Sequence, residues 1–159
     1  MNYWRYRAGK AYVGENNTAG LCYNWKKDLA QGVMNQQQER IGDVRNYKTK
    51  KDVQAMRPDN PGRAANAWAI CNEIEVGDVI FSIGKLDEIL GVGIVIGEYF
   101  YDDADGLRFH KRLVKWTEKT VFAKHGLNQG SLRRFNLTNP ESVNTLNALL
   151  EMCGMKQYT

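Results

Sequence analysis

Two apolar runs near the middle of the chain constrain the fold more than any other feature: Gly77-Asp78-Val79-Ile80-Phe81-Ser82-Ile83 and Ile89-Leu90-Gly91-Val92-Gly93-Ile94-Val95-Ile96-Gly97. Their β-branched residues favour extended backbone and cannot be left in water, so both runs read as consecutive strands lining a core. Glu98-Tyr99-Phe100-Tyr101-Asp102 and Arg108-Phe109-His110-Lys111-Arg112 follow, giving that core an aromatic and basic rim that is free to bind. Gly91 and Gly93 fall inside a strand with no helix after them, which points to a bend or a close backbone approach.

The remaining elements can be read around this centre. Trp4 and Tyr6 alternate with Tyr3, Arg5 and Arg7, the pattern of a first strand with two different faces. Gly20-Leu21-Cys22-Tyr23-Asn24-Trp25 reads as a second short strand with Trp25 near its end. The Gln-rich stretch from Asn35 to Glu39 has little to bury and reads as a surface loop or short helix. A helical turn begins near Tyr47-Lys48-Thr49, with Thr49 as a cap. Asn60-Pro61 and Asn139-Pro140 each pair a capping side chain with a proline at the first helical position, where the missing N–H costs nothing. The helix after Asn60 runs to about Asn72, with Ala64, Ala65, Trp68 and Cys71 on one stripe. The last helix carries Val143, Leu146, Leu149, Leu150 and Cys153 on its apolar stripe and ends at Gly154. With strands near 78–83, 89–97 and 111–117 and the two early ones, the class is α+β, a mixed or antiparallel barrel in one domain over residues 1–159.

Several function classes are excluded at this level. Twenty-two Lys and Arg against eighteen Asp and Glu give a net charge of +4, too weak for a histone-like binder but enough for one basic face toward a polyanion. Cys22, Cys71 and Cys153 are odd in number and far apart, which argues against a disulfide framework and a zinc site and for a reduced, cytoplasmic protein. Neither a signal-peptide core nor a membrane-length apolar run is present, so neither secretion nor membrane insertion is expected. No nucleophile elbow, phosphate-cradling loop or His-Glu-x-x-His pair occurs. His110 and His125 stand in basic surroundings that suit surface or phosphate-contacting roles, and Asp102, Asp103, Asp105 and Gly106 read as a polar hairpin turn. The expectation is a non-enzymatic protein with no cofactor and no metal.

Five segments, in order, carry a family resemblance: Gly20-Leu21-Cys22-Tyr23-Asn24-Trp25; Ile41-Gly42-Asp43-Val44 with Tyr47; Asn60-Pro61-Gly62-Arg63-Ala64-Ala65-Asn66-Ala67; Gly77-Asp78-Val79-Ile80; and Ile89 to Gly93 through Tyr99-Phe100-Tyr101-Asp102 to Val114-Lys115-Trp116. Together they resemble the EVE domains of the PUA-like superfamily, in particular those at the N-terminus of McrB-type modification-dependent restriction proteins, similar in fold to YTH readers. The chain departs from that pattern at Asn24, where many relatives have glycine, and in the Gln-rich stretch, which resembles an insertion.

The resemblance implies a PUA-like (EVE/YTH-like) mixed β-barrel of about five to six strands flanked by helices. It implies a module that flips a modified base, N6-methyladenine or a modified cytosine, out of DNA into an aromatic cage. Trp25 would form one wall, with Tyr23 or Asn24 beside it, and Tyr99, Tyr101 and Phe109 the other; Asn24, Ser82 or Asp102 would meet the base edge. Phosphate contacts would come from Lys26, Lys27, Arg63, Arg108, His110, Lys111, Arg112 and Arg133, with Lys124 and Arg134 as further candidates. A GTP-driven motor and a nuclease, as another domain or subunit, would do the cutting. Two alternatives stay open: a reader of modified RNA, and an enzyme acting on small nucleotides.

Overall fold

The apolar runs form the centre of one six-stranded sheet, ordered β2-β5-β4-β3-β1-β6. The computed structural model describes residues 1–8, 20–38, 40–85, 88–106, 108–125 and 131–159. In chain order these are β1 (Tyr3–Tyr6), α1 (Gly20–Gln31), β2 (Val33–Gln36), α2 (Lys50–Ala55), α3 (Pro61–Asn72), β3 (Val79–Ile83), β4 (Glu88–Tyr101), β5 (His110–Phe122), β6 (Leu132–Arg134) and α4 (Pro140–Met152), with a 3-10 turn at Val44–Asn46. β1 runs parallel to β3 and every other pairing is antiparallel, so the class is α+β and the sheet curls into a half-barrel.

Strand alternation divides the core in two. On one face Trp4, Tyr6, Ile80, Val95 and Val114 meet Trp25 of α1, Val53 of α2 and Ala64, Ala67 and Ile70 of α3. On the other, Tyr3, Val79, Phe81, Ile83 and Val92 meet Leu146, Leu149, Leu150 and Cys153, the apolar stripe of α4 and its C-cap. The caps are those the sequence predicts: the Asn60 and Asn139 side chains accept from the first-turn N–H groups of α3 and α4, and Thr49 and Asp52 form a reciprocal capping box on α2. Gly154 takes φ 70° just after α4, a left-handed conformation that costs glycine nothing. Asp78, fully buried, accepts from the Asn2 N–H, the Trp4 indole and the Glu75 N–H, tying the start of β1 to the turn entering β3.

Two elements differ from the sequence reading. The segment read as a strand up to Trp25 is helical, the first half of α1. Apolar residues at Leu21, Trp25 and Leu29 recur every four positions, a helical period that a six-residue window ending at Trp25 misses. The Gln-rich stretch begins as β2, and Asn35, Gln36 and Gln38 are buried. Their amides are hydrogen-bonded across the open side of the half-barrel, which offsets much of the cost of burying them: Asn35 Nδ2 to Tyr6 and Asp28, Gln36 to Ser131, Gln38 to Arg57.

Candidate functional site

On the helix-covered face of the sheet, glycine leaves a trough in the strand surface that two indoles fill. Tyr6, Ser82 and Gly91 stand side by side on β1, β3 and β4, and Trp4, Ile80, Gly93 and Trp116 form the adjacent row. A Cβ on Gly91 would lie 2.7 Å from the Trp25 ring and 2.9 Å from the Thr117 carbonyl; one on Gly93 would lie 2.4 Å from Val114 and 2.6 Å from Trp116. The missing side chains are therefore what admit the two indoles, the close approach that the sequence suggested for these glycines.

Three aromatic rings wall the trough. Trp25 meets Trp116 edge to face, with centroids 5.0 Å apart at 86°, and Tyr6 lies nearly parallel to Trp116 at 6.3 Å and 22°. The Trp116 indole donates to the Val33 carbonyl at 2.8 Å, which fixes its plane. Asn24, next to Trp25 on α1, is buried beside this cluster. At the tip of the Tyr6 ring lies a polar network. The Tyr6 hydroxyl donates to Asp28 Oδ2 at 2.5 Å and accepts from the Asn35 backbone N–H at 3.1 Å, while the Asn35 amide donates to Asp28 Oδ1 at 2.9 Å. Arg108 pairs with the same carboxylate and reaches Gln31 at 3.2 Å. Burial pushes the Asp28 carboxyl up to about 7 against the pull of Arg108, Tyr6 and Asn35, and burial followed by Asp28 drives the Tyr6 hydroxyl well above its ordinary value. Two buried polar atoms of this region have no hydrogen-bond partner among the described residues: Ser82 Oγ, beside Tyr6 and Gly91, and Asn35 Oδ1, on the amide whose Nδ2 donates to the Tyr6 hydroxyl and Asp28.

The structure brings together only part of the expected cage. Trp25 packs on Gly91, the β4 neighbour of Ser82; Asn24 is buried next to Trp25 in α1, and the Tyr23 side chain lies outside the described residues. Tyr99, Tyr101, Phe109 and Asp102 do not face Trp25. Tyr99 follows Gly91 by eight residues along β4, beyond a register shift between Val95 and Tyr99. They form a separate stack, Tyr101 on Phe109 at 5.8 Å and Tyr99 on His110 at 6.0 Å. Tyr6, Trp116 and Asn35, by contrast, are trough residues that the sequence reading left in the scaffold; the mutual spacing of Tyr6, Gly91 and Trp116 on three strands appears only when the strands are paired.

The basic candidates also divide. Lys26, Arg63, Lys124, Arg133 and Arg134 are exposed and Lys27 is half-buried. Arg108, His110, Lys111 and Arg112 are buried and engaged within the protein, which removes them as phosphate ligands. Lys111 pairs with Asp102 and Asp105. Arg112 donates to the Gly97, Ile70 and Ile74 carbonyls, completing the C-terminal end of α3. The His110 Nε2–H donates to the Gln38 carbonyl at 3.0 Å and its Nδ1 accepts from the Tyr99 hydroxyl at 2.8 Å, which in turn accepts from the Val44 N–H. His125 is buried as well, not at the surface as its neighbours suggested. Asp102 holds the Ala104 N–H in the hairpin turn read from the sequence, so its carboxylate is committed there and to Lys111. A concavity of about 410 Å3 opens beside this turn, lined by Val33, Phe100 and Leu113 and by Asp102 and Asp105, which share Lys111 as their partner. Among the described residues no group of His, Cys, Asp and Glu is placed to hold a metal ion, and no helix is long and apolar enough to cross a membrane.

Solved structures similar to the chain include protein Atu2648 from Agrobacterium tumefaciens, at 15% identity and TM-score 0.41 over 97% of this chain and 92% of that one. Another is the YTH domain-containing protein mmi1 in complex with RNA, at 9% identity and TM-score 0.45 over 96% and 86%. A third is Rpa0253 from Rhodopseudomonas palustris, at 15% identity and TM-score 0.37 over 100% and 85%. No curated protein matches the chain. A family model spans residues 6–138, from Tyr6 in the trough to the loop before α4, and the chain belongs to that family, the domain of unknown function DUF8426.

Proposed function

We propose that this protein is a non-catalytic reader that accepts one nucleobase of a nucleic acid at the trough walled by Tyr6, Trp25 and Trp116. The observation that carries the reading is the pairing of flat aromatic walls with two buried polar atoms, Ser82 Oγ and Asn35 Oδ1, that lack partners among the described residues. Each such atom costs about 1–3 kcal/mol while unsatisfied. A planar ligand with donors and acceptors around its rim recovers that cost, and a nucleobase has this shape. Stacking returns about 1–3 kcal/mol per base, against a few kcal/mol to unstack and extrude it. A methyl group buried against the indoles adds about 0.8 kcal/mol, enough to separate a modified base from its parent.

DNA carrying N6-methyladenine or a modified cytosine is the ligand we favour, with the domain serving as specificity module of a McrBC-like restriction system beside a motor and nuclease. The order of the EVE-like segments supports that choice. The test is binding of the purified protein to matched duplexes carrying adenine, N6-methyladenine, cytosine, 5-methylcytosine or 5-hydroxymethylcytosine at one position, and to the same sequences as RNA, at one fixed salt concentration. Preference for one modified DNA is expected. Preference for the RNA series would transfer the reading to an RNA reader, and equal binding to every duplex would overturn it.

A further inference from the structure

α4 packs on Val79, Phe81, Ile83 and Val92, but further along the same face, where β4 pairs with β5, two large apolar side chains stand in solvent: Ile96 is 55% exposed and Leu113 42%. Their chain neighbours Val95 and Val114 are buried on the helix-covered face, so strand alternation turns Ile96 and Leu113 to the α4 side. A bulge accentuates the patch. Three residues of β4, Ile96, Gly97 and Glu98, stand opposite Leu113 alone, and a Cβ on Gly97 would lie 3.0 Å from the Leu113 side chain. Charge is divided about Leu113. On one side along β5, Lys111 lies between Asp102 and Asp105 in the concavity lined by Val33 and Phe100, with Asp103 exposed in the same turn. Arg108 is 3.9 Å from Asp105 but pairs closely with the buried Asp28, which leaves the two concavity carboxylates one close cation. On the other side, on the same face by alternation, Lys115 is exposed and forms no ion pair with a described residue.

The geometry points to a second copy of this chain as the partner that covers this face, in a dimer whose two-fold axis crosses the strands at Leu113. Such an axis lays β5 of one copy antiparallel on β5 of the other. Leu113 then meets the partner's Leu113, and Lys115 falls over the partner's concavity. Its aliphatic stem covers the apolar lining there, and its ammonium brings the two carboxylates a second cation. The other face-to-face arrangement, with the axis along the strands, sets Lys115 on the partner's Lys115 and one acidic turn on the other, contacts between like charges. The patch is thus self-complementary in one orientation, as a closed two-fold interface requires. An acidic turn repels phosphate, which makes a nucleic acid the wrong occupant. The face is the one turned away from Trp25 and Tyr6, so pairing neither covers the trough nor depends on what binds there.

The experiment is sedimentation velocity of the full chain over a concentration series, with Leu113→Asp and Lys115→Glu alongside. Both positions are exposed, and melting checks that the variants fold. The natural protein should pass from monomer to dimer as its concentration rises. Leu113→Asp should raise the dissociation constant at least about tenfold, because an apolar contact at the axis becomes two facing carboxylates. Lys115→Glu should raise it about threefold at low salt. Added salt should then weaken the natural dimer and strengthen the Lys115→Glu dimer, since it screens attraction in one and repulsion in the other. A chain that stays monomeric up to about 1 mM overturns the proposal and leaves the face to a different protein. So does a dimer that Leu113→Asp leaves intact, which would put the contact elsewhere. A dimer that Leu113→Asp dissociates but Lys115→Glu leaves unaltered at every salt concentration overturns the axis across the strands. No nucleic acid enters the measurement, so its outcome and that of the base-binding test are independent.

Discussion

Ser82 separates folding from binding more cleanly than any other residue of the trough. Its hydroxyl is buried without a partner among the described residues, so Ser82→Ala removes an unsatisfied group and leaves stability unchanged or raises it by up to about 1 kcal/mol, measured by denaturant titration. Binding of the preferred modified base should fall about two- to tenfold in the same variant, the worth of one hydrogen bond. Trp25 cannot serve this purpose. It is buried against Trp116 and Gly91, so Trp25→Ala should cost about 3–5 kcal/mol of stability and lose binding through the fold. His110 tests a different property. With Nε2–H given to a carbonyl and Nδ1 taking the Tyr99 proton, the neutral ring is fully satisfied, and burial lowers its pKa below 6.5. The unfolded chain then binds the proton more readily than the native protein, so stability is held above the unfolded pKa and drains as pH falls below it. NMR titration should find the His110 ring more than half neutral at about pH 6.5, where an unperturbed imidazole is half protonated. Trp25 and Ser82 could be named from the sequence as candidates because an indole and a hydroxyl near a glycine-bearing strand suggest stacking and edge contacts. Tyr99 and Phe109 were misplaced and Tyr6 was missed for one reason: distance along β4 and adjacency across β1, β3 and β4 are properties of pairing, which no local window contains.

At the scale of elements, the interiors of β4 and α1 depend on each other. Gly91→Ala places a methyl 2.7 Å from Trp25 and 2.9 Å from a backbone carbonyl that cannot turn aside, so it should cost about 1–3 kcal/mol and appear as a lower melting temperature. Reducing Trp25 to Phe in the Gly91→Ala background should return part of that loss, since the indole ring is the nearer obstacle; a full additive loss would show that Thr117, not Trp25, sets the limit. The helices with Asn-Pro starts and the two central strands were readable because each carries its own local signal: a cap, a proline at the first position, a period of 3.6 or a run of β-branched residues. α1 and β2 were not. α1 has no acidic residue in its first turn and lacks the Asn-Pro start that marks the other two long helices, and β2 is a polar edge strand whose amides bond to Tyr6, Asp28 and Ser131 from elsewhere in the chain. The energy that makes Val33–Gln36 a strand is tertiary, and composition alone assigns such a segment to a loop.

The whole molecule is a half-barrel whose open side is closed by side chains instead of a backbone ladder. Tyr6 on β1 reaches Asn35 on β2, Ser131 reaches Gln36 and Asn66, and Asp28 of α1 gathers Tyr6, Asn35 and Arg108 around one carboxylate. This closure holds α1, and with it Trp25, over the trough. Arg108 supplies the only cation paired directly with Asp28 among the described residues, and both side chains are almost wholly buried. Removing one partner of a buried pair strands the other, so Arg108→Met should cost about 3–5 kcal/mol when Asp28 is ionised. The sign with pH follows from burial. The Asp28 carboxyl is held up to about 7, above its unfolded value of 3.8, so the native protein keeps a proton that the unfolded chain has already released across that interval. The group's contribution is therefore greatest below the unfolded pKa and declines as pH rises toward the folded one. Without Arg108 the carboxyl climbs further and the decline extends to higher pH. The penalty for Arg108→Met should thus be largest near about pH 8 and shrink near about pH 5, where the stranded carboxyl is protonated. Denaturant titrations at the two pH values measure it. Adding Asp28→Asn should flatten the difference, because the amide presents no charge to strand; a penalty independent of pH in both backgrounds would mean that Arg108 stabilises the fold by packing and its bond to Gln31, and that the closure does not depend on the ion pair.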